Sequence, residues 1–439
     1  MNKANFLSLS FISRNTLEKH RSTYMGGILL LAILLAVRTY SSHLDQFTFN
    51  TENGAWNIAA NLIHGEGYSA CDKDYFPFCG PENQATAMRE PVSVFVMALA
   101  QTIYPHHDAG MFAQTLLYLF TTYAIYILMR EQGDIRVALL ASLFWTLSIP
   151  VFLEVQRDNG HLAGALFYSI GLLYIFRATA RNLTHDFLLA GIFMGLAALS
   201  RSIFLGITVG LGCALFMYQY RTRNPSQVFK SLIFVTATLL IIAPWALRNQ
   251  VVLGSPISGS SLTGYNIFRM NYFLGDKPFT PHYVGPAESR QVVDKLIAEG
   301  DLTGQENEAE MQEFFSAAGK RIILQHPVRY ILLSLYRFVI LWFNLGVDAA
   351  YNNPPTLLNR LAIIQQVFIL IFVMFGFLKG YRKFWLPALA LFLGCAAYMA
   401  VNSQVRYLVD MMPNIAILSA MGISEIPFIQ KIFFKADTL

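Results

Sequence analysis

Charge is scarce in this chain. Asp, Glu, Lys and Arg make up 13% of its 439 residues, against 55% hydrophobic, about half the charged share of ordinary globular domains. That excludes a soluble globule, because the apolar surface exceeds what one core could hide. The formal net charge of +5 is small, and the cations gather at the ends of apolar runs instead of along one stripe, which argues against a nucleic-acid partner. Cysteine is rarer still, with four in all. Cys213 and Cys395 fall in apolar runs and are expected to be buried packing residues. Cys71 and Cys79 have seven residues between them in a polar stretch; a disulfide closing a small ring and two free thiols are both open there. No further Cys or His stands at metal-ligand spacing. No repeat of fixed period is present, so solenoid and inverted-repeat transporter folds gain no support. Nor does a small-residue cleavage site follow the first apolar run, Tyr24 to Val37, although Lys3, Arg14, Lys19 and Arg21 precede it; that run reads as a retained signal-anchor.

What the chain does have is long apolar runs. Crossing about 30 Å of hydrocarbon takes about 20 helical residues, and runs near that length occupy 24–40, 110–129, 136–153, 160–177, 186–200, 202–219, 230–247, 360–378, 384–401 and 410–427. The expected fold is an all-α polytopic membrane protein with about 10 transmembrane helices. Charge decides two further segments, 91–104 and 328–345. Arg130 and Arg136, Arg177 and Arg181, Arg221, Arg223 and Lys230, and Lys379, Arg382 and Lys383 all become cytoplasmic, with both termini, only if neither segment crosses as a single span. Both are therefore expected as interfacial or re-entrant helices on the outer face.

That topology puts Glu52, Arg89, Asp158, Arg201, Arg248 and Arg406 on one side, the outer one. It also divides the chain into an N-terminal transmembrane module, 1–247, with a polar and acidic first outer loop at 41–109, an outer interval at 248–327, and a C-terminal transmembrane module at 328–439. The middle interval is punctuated by Gly and Pro and too poor in apolar residues for a core of its own; it reads as a lid.

Several pieces stand in a fixed order: Glu52, Trp56, Ala59, Ala60, Gly65, Gly67 and Tyr68; Arg89 and Pro91; GLAALSR ending at Arg201; PWALRN from Pro244 to Asn249; GYN from Gly264 to Asn266; QHPVRY from Gln325 to Tyr330; and the pair Arg406 and Tyr407 shortly before Pro413. In this order they resemble the GT-C superfamily of membrane glycosyltransferases, which includes the protein O-mannosyltransferases and the lipid A aminoarabinose transferase. The resemblance runs from about residue 25 to 425. It implies transfer of a sugar from a polyprenyl-phosphate donor to a lipid, glycan or protein acceptor on the periplasmic face of the inner membrane. Glu52 matches the acid of the first outer loop in that family, and the segment with Glu154 and Asp158 matches a second acid in the next. Where relatives carry two adjacent acids, this chain has Glu52-Asn53. No cofactor follows from the resemblance, and a divalent cation is left open.

The chemistry asks for the same residue types. Inverting transfer from a phosphodiester needs one base to take the acceptor's proton and cations to hold the departing lipid phosphate. The base is expected at Glu52, with Asp158 as the second acid; the phosphate is expected at Arg406, Arg201, Arg248 and Arg89, with Tyr407 beside them. Arginine suits a phosphate because its planar fork stays charged and bonds two oxygens at once. Each residue also has an ordinary role open to it. Glu52 could stabilise the start of a helix, Asp158 could cap the helix that follows it, and Arg406 and Arg248 could anchor at headgroups. Two other activities fit the composition: an O-antigen ligase or polymerase using diphosphate-linked glycans, and a transporter or flippase, although a transporter favours ionisable residues near mid-span.

The charge pattern predicts that Asp45→Cys or Asp74→Cys, in a background lacking Cys71 and Cys79, reacts with a membrane-impermeant maleimide in intact cells. Labelling only after permeabilisation would reverse the topology.

Overall fold

The computed structural model describes residues 14–41, 54–70, 84–221, 225–277, 284, 286–343, 357–380 and 384–426. Glu52, Cys71 and Cys79 lie outside the described residues. After α1 (Arg14–Lys19) and α2 (Arg21–Ser41) come α3 (Ala55–Ile63) and a two-stranded antiparallel pair, Ser69–Ala70 with Gln84–Ala85. The N-terminal helices continue as α4 (Pro91–Ile103), α5 (His107–Glu131), α6 (Ile135–Leu147), α7 (Ile149–Leu153), α8 (His161–Arg181), α9 (Thr184–Ser200), α10 (Ile203–Arg221) and α11 (Pro225–Leu253). The middle interval holds α12 (Leu262–Arg269), α13 (Pro286–Ala298) and α14 (Glu308–Gln325); then follow α15 (Pro327–Phe343), α16 (Leu357–Gly380), α17 (Trp385–Val401) and α18 (Leu408–Ser424).

All ten expected runs fall on helix, but they are not ten equal spans. Among the described residues seven helices are long and apolar enough to cross a membrane, and eight if α6 and α7 are taken as one. α9 and α17 have 17 residues each and are shorter than a full crossing. The α6–α7 run is broken at Ser148, with Pro150 in the first turn of α7, and bends by 52°. Proline is at home there, since first-turn N–H groups have no helical partner. The backbone freed at the bend finds one in the Gln365 side chain of α16, which accepts from the Ile149 N–H at 2.9 Å and donates to the Leu147 carbonyl at 2.7 Å. In hydrocarbon such groups must be satisfied within the protein.

The core lies along α18, whose span is 83% buried, among α6, α8, α16 and α17. Small residues let these helices close up. A Cβ on Gly376 would sit 2.0 Å from the Leu418 carbonyl oxygen, and one on Gly422 1.9 Å from that of Phe372, so the α16 and α18 backbones touch. At one end of the bundle, ion pairs tie the loops: Glu131 accepts from Arg177 Nε at 2.9 Å and lies 3.7 Å from Arg181, and Glu18 stands 2.9 Å from Arg130. Cys213 departs from expectation. It is exposed on α10 and faces away from the helical body, while Cys395 is half-buried.

The backbone contact predicts that Gly422→Ala, which forces α16 and α18 apart, destabilises by about 1–3 kcal/mol, as overpacking usually does. Thermal unfolding in detergent reads this; an unchanged midpoint would show that the two backbones are not held in contact.

Candidate active site

Loops at the other end of the bundle converge because the helices carrying them pack closely. Gly160, just before α8, lies against the last turn of α9, where a Cβ would meet the Ser200 carbonyl oxygen at 1.9 Å. Only glycine allows that approach, and it brings the 157–160 loop beside Arg201. α4 and the turn after α17 complete the ring. Within it is a cavity of about 760 Å³, walled by Gly54, Met88 to Glu90, Gln156 to Asn159, His161, Arg201 to Ile203, Ser260 to Asn266 in part, Arg269, and residues of α17 and the Val405–Tyr407 turn. Of the residues expected at the site, Arg89, Asp158, Arg201, Arg406 and Tyr407 all line it. Gly54, at its wall, is two residues from Glu52.

Asp158 is buried, and its Oδ2 accepts from the Trp56 N–H at 2.9 Å. The carboxylate therefore caps the start of α3, which has no side-chain cap of its own. The ordinary role first open to it, capping α8, belongs instead to Asn159, whose Oδ1 accepts from the His161 N–H at 3.2 Å. Burial pushes the Asp158 carboxyl above its usual range, and the Trp56 N–H and the Arg89 charge oppose that rise. Glu90 also faces the cavity; its Oε1 accepts from the Ser202 N–H at 2.8 Å and from the Ser202 hydroxyl at 2.5 Å.

Behind the cavity lies a polar network that motif reading missed. Asp410, fully buried in the first turn of α18, bonds His161 Nδ1 through Oδ1 at 2.9 Å and accepts from the Tyr398 hydroxyl through Oδ2. Arg201 Nε stands 3.7 Å from the same Oδ2. The Tyr407 ring stacks on Tyr398 at 4.8 Å and lies under the guanidinium groups of both Arg201, at 5.6 Å, and Arg406, at 5.5 Å. Neither Arg201 nor Arg406 has a hydrogen-bond partner for its buried Nε. One signal was available: an acid inside an apolar run is costly unless it has work to do, and Asp410 interrupts VRYLVDMMPNIAIL. Arg157 and Arg269 also line the wall and were missed, being single arginines in polar surroundings.

Arg248 stands apart from this cavity. Its guanidinium donates to the carbonyls of Thr86 at 2.7 Å and Tyr68 at 2.9 Å, and lies against the rings of both Tyr68 and Trp245. It grips the Ser69–Ala70 and Gln84–Ala85 hairpin from one side. Glu308, at the start of α14, grips from the other: its Oε1 accepts from the Ala87 N–H at 2.7 Å and from the Ser261 hydroxyl. Tyr68 then donates to the Arg89 carbonyl at 2.8 Å. These contacts aim Arg89 and Glu90 at the cavity. Among the described residues no three His, Cys, Asp or Glu side chains are grouped to hold a metal ion.

A family model described as dolichyl-phosphate-mannose-protein mannosyltransferase matches residues 88–247. No curated protein sequence matches the chain. In structure it is similar to the Archaeoglobus fulgidus oligosaccharyltransferase in the apo form, with a TM-score of 0.53 at 18% identity over 91% of this chain and 50% of that one. It is also similar to the archaeal oligosaccharyltransferase AglB from Archaeoglobus fulgidus in complex with an inhibitory peptide and a dolichol-phosphate, with a TM-score of 0.52 at 18% identity over 92% and 50%. The chain spans about half the length of these proteins. The resemblance read from the motifs is borne out as a likeness to that family model, and the fold is an all-α polytopic membrane fold similar to that of these two structures.

The raised Asp158 carboxyl has a sign. Below the ordinary value of 3.8 the group is protonated in folded and unfolded chains alike and burial carries no penalty; as pH rises through the higher folded value the penalty grows and stability falls. Asp158→Asn keeps an acceptor for Trp56 without the charge. It should raise the melting midpoint relative to the parent at about pH 8 by more than at about pH 4. A difference independent of pH would mean that Asp158 is not held at a desolvation cost.

Proposed function

We propose that this chain transfers one sugar from a polyprenyl-phosphate donor to a lipid, glycan or protein hydroxyl, with inversion, on the periplasmic face of the inner membrane. The observation that carries this reading is the pair of buried arginines, Arg201 and Arg406, which line a cavity at the ends of membrane-length helices and whose Nε groups make no hydrogen bond, that of Arg201 lying 3.7 Å from Asp410 Oδ2. A buried donor left unpaired is costly; a phosphate oxygen offsets that cost. On this reading the phosphodiester lies at headgroup level, beside those helix ends, while its isoprenoid tail stays in lipid.

The proposed step balances simply. A carboxylate, Glu52, takes the acceptor's hydroxyl proton, and the freed oxygen attacks the anomeric carbon on the face opposite the phosphate. The bond from that carbon to the phosphate oxygen breaks, and its electron pair leaves with the lipid phosphate. Arg406, Arg201 and Arg89 hold that charge, with Tyr407 as the surface on which the first two lie. No acid need protonate the leaving group, because a phosphate monoester is stable as an anion. Asp158, near Arg89 and bonded to the start of α3, holds the segment that follows Glu52 against the cavity. Arg248 acts one layer out, through the hairpin that presents Arg89.

Two variants test this in transfer from a defined polyprenyl-phosphate sugar. Glu52→Gln should cut turnover by about 10²–10⁴-fold, the usual worth of a general base, with protein still in the membrane. Arg406→Ala should lose about 2–4 kcal/mol of transition-state stabilisation, and Arg406→Lys part of that, since lysine keeps the charge and loses the fork. If both Arg406 variants keep the parent KM and kcat, the phosphate is not held there.

A further inference from the structure

We infer that Arg337 is a positioning residue that fixes the distance between the two cavity walls bearing Arg269 and Arg406; this rests on the cavity being the donor-phosphate site. Arg337 belongs to α15, read from sequence as an interfacial helix, yet its side chain is enclosed by protein, with 1% exposure. Its Nη1 donates to the carbonyls of Met399 at 3.2 Å and Ala400 at 3.1 Å, and its Nη2 to the carbonyl of Met270 at 2.6 Å and to Asn271 Oδ1 at 3.2 Å.

Those carbonyls close two different helices. Met399 and Ala400 lie in the last turn of α17, and Met270 is the residue just beyond α12. The last carbonyls of a helix have no partner within it and carry the negative end of its dipole, so a cation there is favourable to both helices. Only a planar fork reaches two such ends at once. Just beyond α17 come Asn402, Arg406 and Tyr407 on one wall of the cavity; α12 supplies Thr263, Asn266 and Arg269 on the other. The same helix adds two more ties. Tyr330, seven residues before Arg337, donates to the Ala400 carbonyl at 2.9 Å, and Arg329 donates to the Leu274 carbonyl at 2.7 Å and to that of Asp276 at 3.0 Å. α15 is thus bonded to both walls while contributing nothing to the cavity surface, and the cavity's width is set by Arg337 from behind.

The experiment is binding of undecaprenyl phosphate, without a sugar, to the full-length protein in nanodiscs. Arg406→Ala should weaken binding by about tenfold. Arg337→Met and Arg337→Lys should each weaken it by about tenfold as well, the scale on which a shift of binding groups shows, and Tyr330→Phe by about threefold. In the Arg337→Met background, Arg406→Ala should cost much less than it does alone, because walls no longer held at the right spacing cannot both use the phosphate. If Arg406→Ala has no effect, the phosphate reading falls and this inference with it. If Arg406→Ala weakens binding while both Arg337 variants bind like the parent, or if the two losses simply multiply, Arg337 supports the fold alone and the inference is overturned. Should Arg337→Met not yield folded protein, Arg337→Lys and Tyr330→Phe carry the same comparison, with parent-like binding by both again overturning it.

Discussion

The arrangement depends on one buried carboxylate. Asp410 sits in the first turn of α18, the most enclosed span, with no exposure to solvent. Taking a carboxylate out of water costs several kcal/mol unless partners offset it. Three do so here, and each comes from a different element: His161 from the start of α8, Tyr398 from α17, and Arg201 from the link between α9 and α10. A single anion therefore dictates how four helices meet. Because the Asp410 charge holds Arg201 by its near side, the rest of that guanidinium is turned toward the cavity and the Tyr407 ring.

Around that centre the fold separates two tasks. Side chains that line the cavity, such as Arg201 and Arg406, keep a buried Nε group without a hydrogen bond. Side chains one layer out, such as Arg248, Glu308 and Arg337, spend their bonds on backbone carbonyls and N–H groups and fix loops that would otherwise have no rigid support. Loops carry chemistry well only when a scaffold over-determines them. Here the scaffold is built from charged groups whose partners are peptide dipoles, an arrangement that tolerates burial because no second full charge has to be desolvated.

Much of this was legible in the sequence, and the reason is the bilayer. Hydrocarbon forces backbone bonding into helices and pushes cations to their ends, so the apolar runs fell on helices and included the seven of membrane length among the described residues, and charge counting sorted the helix ends into two sets. That sorting put Arg89, Asp158, Arg201 and Arg406 together before any coordinates, and the cavity does gather them. What escaped was pairing at long range. Asp410 and His161 are 249 residues apart, and Asp158 and Trp56 are 102 apart; no local pattern encodes such partners. Arg248 carried a motif yet serves carbonyls outside the cavity, because an arginine's type does not tell a phosphate from a peptide oxygen. The bend at Ser148 was hidden as well, since hydropathy is continuous through it.

That bend has a mechanical meaning. A broken span is ordinarily a hinge, but the amide of Gln365 stands in for the missing turn, accepting where a carbonyl would accept and donating where an N–H would donate. The elbow between α6 and α7 is thereby stitched to a helix more than 200 residues further along the chain. Gln156 and Arg157, which follow α7 and line the cavity, are tied to α16 through the two hydrogen bonds at the elbow. One wall of the cavity is therefore braced by both the early and the late parts of the chain, although among the described residues none of α16 lines it.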